Sequence, residues 1–154
     1  MTDPGTAELT MRAVRDAFHE VHHNIRKLIQ GLDAEALNWK PHPEANSIAV
    51  LVTHTLGSER EMLAAVNSVR IPRDRASEFK VEAVGNQLNT LLDQADVWLD
   101  DQVGAMSAED LSADRPRGDR PPRPGLVWLL TNYGHAREHL AQMELTKQLY
   151  STRS

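Results

Sequence analysis

Apolar residues recur at alternating steps of three and four along four separate stretches of this chain, the spacing of helices that each bury one face. In the first stretch Met11, Val14, Phe18, Val21, Ile25, Leu28 and Leu32 share a stripe. The second carries Ile48, Leu51, Thr55, Met62, Val66 and Val69. Asn46 or Ser47 stands where a short side-chain oxygen can cap its first free N–H groups. The third carries Val81, Val84, Leu88, Leu91, Ala95 and Trp98, and the fourth runs from about residue 125 to 150. Pro41 and Pro43 separate the first two, with a short turn expected around Asp33–Glu35, and Pro72 ends the second. Residues 112–124 hold four prolines and four arginines. Proline lacks an N–H and fixes φ, so this stretch is expected to be an extended loop. No strand-like alternation of useful length and no repeat is present. The pattern predicts an all-α chain forming one domain over residues 1–154, a four-helix bundle. The connection around Arg70–Ser77 fits a tight turn or a diagonal crossing equally well, so periodicity leaves the topology open.

A chain of 154 residues is long enough to bury roughly 70% of its unfolded surface without disulfide or metal staples. It contains no cysteine, which excludes disulfides, a cysteine nucleophile and thiolate metal ligands. With 17 Lys plus Arg against 22 Asp plus Glu, the net charge is −5. Nucleic-acid affinity comes mostly from cations on phosphates, so no nucleic-acid partner is expected. Met1-Thr2-Asp3-Pro4 lacks the pattern of a signal peptide. The apolar runs Ile48–Val52 and Leu126–Leu130 fall far short of the ~18–20 residues of a membrane span. A cytoplasmic protein with no membrane partner is the expectation. Seven histidines remain as the candidates for chemistry.

The fourth stretch is the informative one. Arg137, Glu144 and Gln148 mark its solvent side. The opposite row reads Trp128, Asn132, His135, His139, Gln142 and Thr146, stepping 4-3-4-3-4 like a buried seam. Unpartnered buried polar groups cost about 1–3 kcal/mol each, so this seam needs an internal partner: a hydrogen-bond network, a wet cleft or a metal. His135 and His139, one turn apart, can both reach one ion at ~2.0–2.1 Å. His54, beside Leu51 and Thr55 and near the small residues Gly57 and Ser58, is the third candidate ligand. Gly134 and Ala136 are small beside the pair. His22 borders the first stripe and could lie level with His54. His19 and His23 repeat the same spacing but share a face with Arg12, Asp16, Arg26 and Gln30, so they are read as solvated. His42, between prolines, is read as an exposed loop residue. A metal site at His54, His135 and His139 and a hydrogen-bonded core histidine network both satisfy this pattern.

Two segments carry a family resemblance. One is Leu37-Asn38-Trp39-Lys40-Pro41, then Ala45-Asn46-Ser47-Ile48-Ala49, His54 and Glu59. The other is Trp128-Leu129-Leu130, then His135-Ala136-Arg137-Glu138-His139-Leu140-Ala141-Gln142. With these the chain resembles the DinB/YfiT-like superfamily of bacterial four-helix bundles. The resemblance implies an up-down-down-up order. It also implies a divalent ion, zinc or nickel, on His54, His135 and His139, and a homodimer. Relatives in that family include transferases and isomerases that use bacillithiol or mycothiol. The Arg/Pro-rich stretch at 115–124 departs from the expected pattern and leaves the substrate open.

Three neutral imidazoles would leave an ion's charge uncompensated and a coordination position free for water or substrate. Such an ion favours thiolate over thiol, and the sulfur would have to come from a small molecule. With what the resemblance implies, the expected function is a metal-dependent enzyme that transfers a low-molecular-weight thiol to an electrophile, or a related isomerase. The alternatives are a hydrolase using metal-bound water and a non-catalytic stress-associated bundle. Arg side chains could hold a cofactor's carboxylates. His135, however, lies about ten residues or ~15 Å from the arginine-rich stretch, so those arginines are read as solvated chain. Asn132 and Gln142 are expected to orient the histidines or touch substrate. Glu59 is expected to pair with a cation or orient a histidine, Glu138 to be exposed, and Trp128 to fill core ahead of walling a pocket.

Overall fold

The computed structural model describes residues 3–154, so Met1 and Thr2 of the N-terminal reading lie outside the described residues. Four long helices form: α1 (Pro4–Ile29), α3 (Ile48–Val66), α5 (Gly85–Ala105) and α7 (Gly125–Ser151). Short helices α2 (Ala34–Asn38), α4 (Arg75–Glu78) and α6 (Ala108–Ser112) lie in the connections. Several starts are chemically marked, although α5 and α7 begin without a side-chain cap. Asp3 accepts from Thr6 N, Asp33 from Ala36 N and Ser47 from Val50 N, filling donors that a helix start leaves orphaned. Of the two expected caps for α3, Ser47 is the one used. α1 stops before Gly31, whose φ of 78° only glycine adopts freely, so Leu32 falls outside the helix. α3 stops at Val66, with Ser68 in the left-handed region, and Val69 projects into solvent. Val81 and Val84 precede α5 rather than forming its first turn.

Side-chain pairings fix the directions. His19 meets Asp100 while Arg26 meets Asp93, so α1 and α5 are antiparallel. Phe18 packs on Tyr133 and Lys147 bonds the Leu28 carbonyl, so α1 and α7 are parallel. Trp98 bonds the Arg60 carbonyl and Asn67 bonds Gln102, so α3 and α5 are parallel. Ser58 meets Asn132 while His54 meets His135, so α3 and α7 are antiparallel. The order is up-down-down-up. A tight turn after α3 is therefore impossible: a parallel neighbour requires the chain to travel back the ~28 Å of a 19-residue helix. Residues 67–84, with α4 midway, make that return.

Residues 112–124 correct the loop expectation. β1 (Asp114–Arg117) and β2 (Arg120–Pro124) pair antiparallel, closed by a two-residue turn at Gly118-Asp119 with Gly118 at φ 58°. A register shift lies between Arg115 and Arg117. Proline is tolerated because both strands of a lone hairpin are edges and some of their N–H groups need no partner. The hairpin is held down by three side chains. Arg115 donates to the Val66 carbonyl, Arg117 donates to Ser58, and Trp128 Nε1 donates to the Arg115 carbonyl. One apolar cluster fills the bundle, with Phe18, Ile25, Met62, Leu63, Leu88, Leu99, Leu129 and Met143 fully buried. Among the described residues no helix is long and apolar enough to cross a membrane.

Candidate metal centre

The polar row of α7 turns inward except at Gln142, whose place on the expected buried seam is exposed. Trp128, Asn132 and Thr146 are buried, His135 and His139 half-buried, and Gln142, Arg137, Glu138 and Glu144 exposed. His54 faces this row from α3. The Nε2 atoms of His135 and His139 lie 2.9 Å apart, and Nε2 of His54 lies 3.3 Å from that of His135. The other ring nitrogens point away. His54 Nδ1 is 3.1 Å from Glu78 Oε1 and His139 Nδ1 is 2.8 Å from Gln142 Oε1. Each oxygen can only accept, and at His54 the Glu78 contact is shorter than the 3.4 Å approach of Arg73 Nη2 to the same nitrogen, so the proton is placed on Nδ1 and an Nε2 lone pair faces the centre. A proton on His135 Nε2 could bridge to one neighbour but not both. His135 Nδ1 is itself buried and unpartnered.

This arrangement fits a cation. Bonds of ~2.0–2.1 Å at 90–110° place ligand nitrogens about 2.9–3.4 Å apart, the separations of His135 from each partner, and all three nitrogens lie within 4.8 Å of one another. The donor chemistry fits as well. Burial lowers the His54 imidazole's affinity for a proton, against the pull of Glu78, and pushes His135 down to about 4 with its histidine neighbours adding to the effect. Both rings are therefore neutral at neutral pH, the form that ligates.

Glu78 comes from α4, in the return crossing. Arg73 grips its carboxylate at 2.8 and 3.0 Å and also reaches Glu61 at 2.6 Å. Gly57 makes room for it, since a Cβ there would collide with the Glu78 carboxylate. Gly57→Ala is therefore expected to drive Glu78 off His54 and weaken divalent-cation binding by about 10–100-fold, measured by competition with a chromophoric chelator. Gly134, the other small residue of interest, faces open space.

A family model for the DinB superfamily matches residues 17–143, a span that reaches into all four long helices. The chain belongs to the DinB superfamily. Two solved structures share the fold of this DinB protein. A conserved protein from Enterococcus faecalis superposes with a TM-score of 0.76 at 16% identity, covering 92% of this chain and 97% of its own. A DinB-like protein from Bacillus cereus gives 0.75 at 13% identity, covering 91% and 92%. At such identities the likeness is one of fold alone. No curated protein matches.

Two expectations need correction in this DinB chain. His22 does not serve the His54 centre, and Glu59 orients a histidine as expected, but that histidine is His22. The two bond each other at 2.8 Å, both buried, and His22 Nδ1 bonds Asp96 at 2.7 Å. His22 thus lies level with Glu59, farther along α3 than His54. His19 is not simply solvated either. It is half-buried and bonds Asp96 and Asp100, because α5 sets an acidic edge across that face of α1. His23 and His42 are exposed as expected. His19, His22 and Asp96 also cluster closely enough to hold an ion. There, however, every ring nitrogen of the two histidines already meets a carboxylate, and Arg26 shares Asp96 at 2.5 Å. Those rings are hydrogen-bonded rather than free to ligate, and at His22 burial, which lowers proton affinity, is outweighed by Glu59 and Asp96, which raise it. Sequence reading missed Glu78 and Arg73; Glu59 stood out only because it lies near a periodic stripe.

Proposed function

We propose that this DinB protein holds one divalent cation, zinc or nickel, on His54, His135 and His139, and transfers a low-molecular-weight thiol to a small electrophile. The supporting observation is the pair of Nδ1 contacts, to Glu78 and Gln142, that turns the Nε2 lone pairs of His54 and His139 onto His135. Ligating histidines characteristically give their second N–H to such an oxygen, which fixes both tautomer and ring orientation. When bound, the cation supplies positive charge that favours a thiol in its thiolate form. The chain has no cysteine, so the sulfur arrives on a second small molecule. The thiolate sulfur forms the new C–S bond, the electrophile's leaving group departs with the bonding pair, and the thiol proton passes to solvent. This chain's side chains position the reactants. His54 and His135 form one wall of a 320 Å³ cavity, and Trp128, Asn132 and Pro121 form part of the rest. That volume suits a small molecule.

The test is turnover of a carbon electrophile by zinc- or nickel-loaded protein, with and without a small thiol. Thiol-dependent turnover should fall in His54→Ala and His139→Ala by more than the roughly 10–100-fold cost of a lost orienting partner. Unchanged turnover in both variants would overturn the assignment. Turnover that ignores thiol would instead indicate hydrolysis.

A further inference from the structure

The cavity beside the histidines has a wall that the proposed thiol chemistry does not require. Arg73, Arg75, Arg117, Arg120 and Arg123 all line it, and no Asp or Glu does. The expectation of solvated arginines holds for Arg120 and Arg123, which are exposed, and fails for Arg117, which is buried because the hairpin folds back over α3 and α7. Only Arg73 is neutralised at close range, by Glu78 and Glu61. Arg117 is 4% exposed and bonds the carbonyl and hydroxyl of Ser58, both neutral, while its nearest carboxylate oxygen is 3.8 Å away on Glu61. Its Nε is buried without a partner. Arg123 and Arg117 lie over Trp128, at 5.5 and 5.7 Å from the ring. Arg120 and Arg123 make no ion pair among the described residues. A protein of net charge −5 thus concentrates five of its 17 basic side chains around one small hollow.

A buried guanidinium with a free N–H is costly unless something pairs with it. Burial pulls Arg117 down to about 10, which still leaves it charged at neutral pH. Guanidinium forks match the geometry of carboxylate and phosphate oxygens. Asn132 Oδ1, buried and unpartnered in the same wall, adds an acceptor for a hydroxyl or amine.

We propose that this cavity is an oxyanion pocket: Arg117, Arg120 and Arg123 hold the carboxylate or phosphate of a small substrate whose body rests on Trp128, with its other end at His54 and His135. The assignment of that other end rests on the metal reading above. The anion subsite itself does not, because it is built from the hairpin.

Calorimetric titration of the full chain with inorganic phosphate and with malonate tests this, in chelator-treated and in zinc-loaded protein. One site per chain is expected in both forms, and the tighter probe identifies the group. Arg120→Ala/Arg123→Ala, at two exposed positions, should weaken binding by about tenfold or more. Arg12→Ala, which removes an exposed charge on α1 outside the cavity, should leave it unchanged. The pocket is overturned if neither probe binds, if Arg12→Ala weakens binding as much as the double variant, or if the double variant binds like the parent. Anion binding seen only with zinc present would also overturn it, by placing the anion on the cation. Anion binding in a protein that takes up no zinc would sink the metal reading and leave this pocket standing.

Discussion

His135→Ala is expected to leave the protein folded and unable to hold a divalent cation at one per chain. His135 is the central nitrogen of the three, adjacent to both partners at 2.9 and 3.3 Å. Without it His54 and His139 remain on different helices with no shared neighbour. Affinity should fall by more than the roughly 10–100-fold cost of a lost orienting contact, and Glu78→Gln, which disturbs only such a contact, should fall within that range. Elemental analysis of untagged protein and chelator competition measure both, with circular dichroism confirming the helices. The pH dependence has a definite sign. His135 titrates near 4 in the folded protein, below the 6.5 of a free histidine. At His135 itself, protons should therefore compete with the cation only as pH falls toward 4. In cation-free protein the unfolded chain takes up the proton first, so stability falls as pH drops from 6.5 toward 4. Undiminished binding in His135→Ala would mean that the ion sits elsewhere, with the His19–His22–Asp96 group the next place to look.

The helices and the inward histidines were legible because both are periodic. The row from Trp128 to Thr146 declares its face by spacing alone, and Ser47 announces the start of α3 by its chemistry. What escaped has no period. Glu78 and Arg73 sit in the return crossing, and nothing local shows that this segment folds onto His54. The glycine at position 57 was a hint of close approach, though it did not name what approaches. The hairpin was hidden by its prolines, which argue against a strand wherever both edges are paired but not in a lone two-stranded ribbon. Misreading it also misplaced the arginines, since ~15 Å along a helix axis says nothing about a strand that doubles back over that helix. The His22–Glu59 pair was half legible. Each residue borders its own stripe, but the third member, Asp96, lies 74 residues from His22 and carries no local mark.

His22→Ala should be the most destabilising single change among the polar residues, costing about 3–5 kcal/mol. The His22 side chain is completely buried and ties three helices together, through Glu59 on α3 and Asp96 on α5. Burial alone would lower its proton affinity, but the two carboxylates outweigh that and raise it. Glu59, driven up by its own burial despite His22, is left without a partner in the variant. In a domain of this size the loss corresponds to a fall in Tm of roughly 6–20 °C, read by thermal denaturation. His19→Ala is the control. Its ring is 34% exposed and its partners Asp96 and Asp100 are themselves partly exposed, so about 1 kcal/mol or less is expected. His22 is raised above 6.5, so its contribution is complete below that pH and disappears as pH rises through the folded value. Asp96 is held low: burial opposes its ionisation, but His22 and Arg26 prevail. Its contribution is therefore present above its unfolded value near 3.8 and fades only in stronger acid. Replacing the buried pair together, His22→Leu with Glu59→Met, should recover much of the single-variant loss, because apolar groups of similar volume leave no unpaired charge. If His22→Ala costs no more than His19→Ala, the pair is not the fastening between these helices that its burial and bond lengths describe.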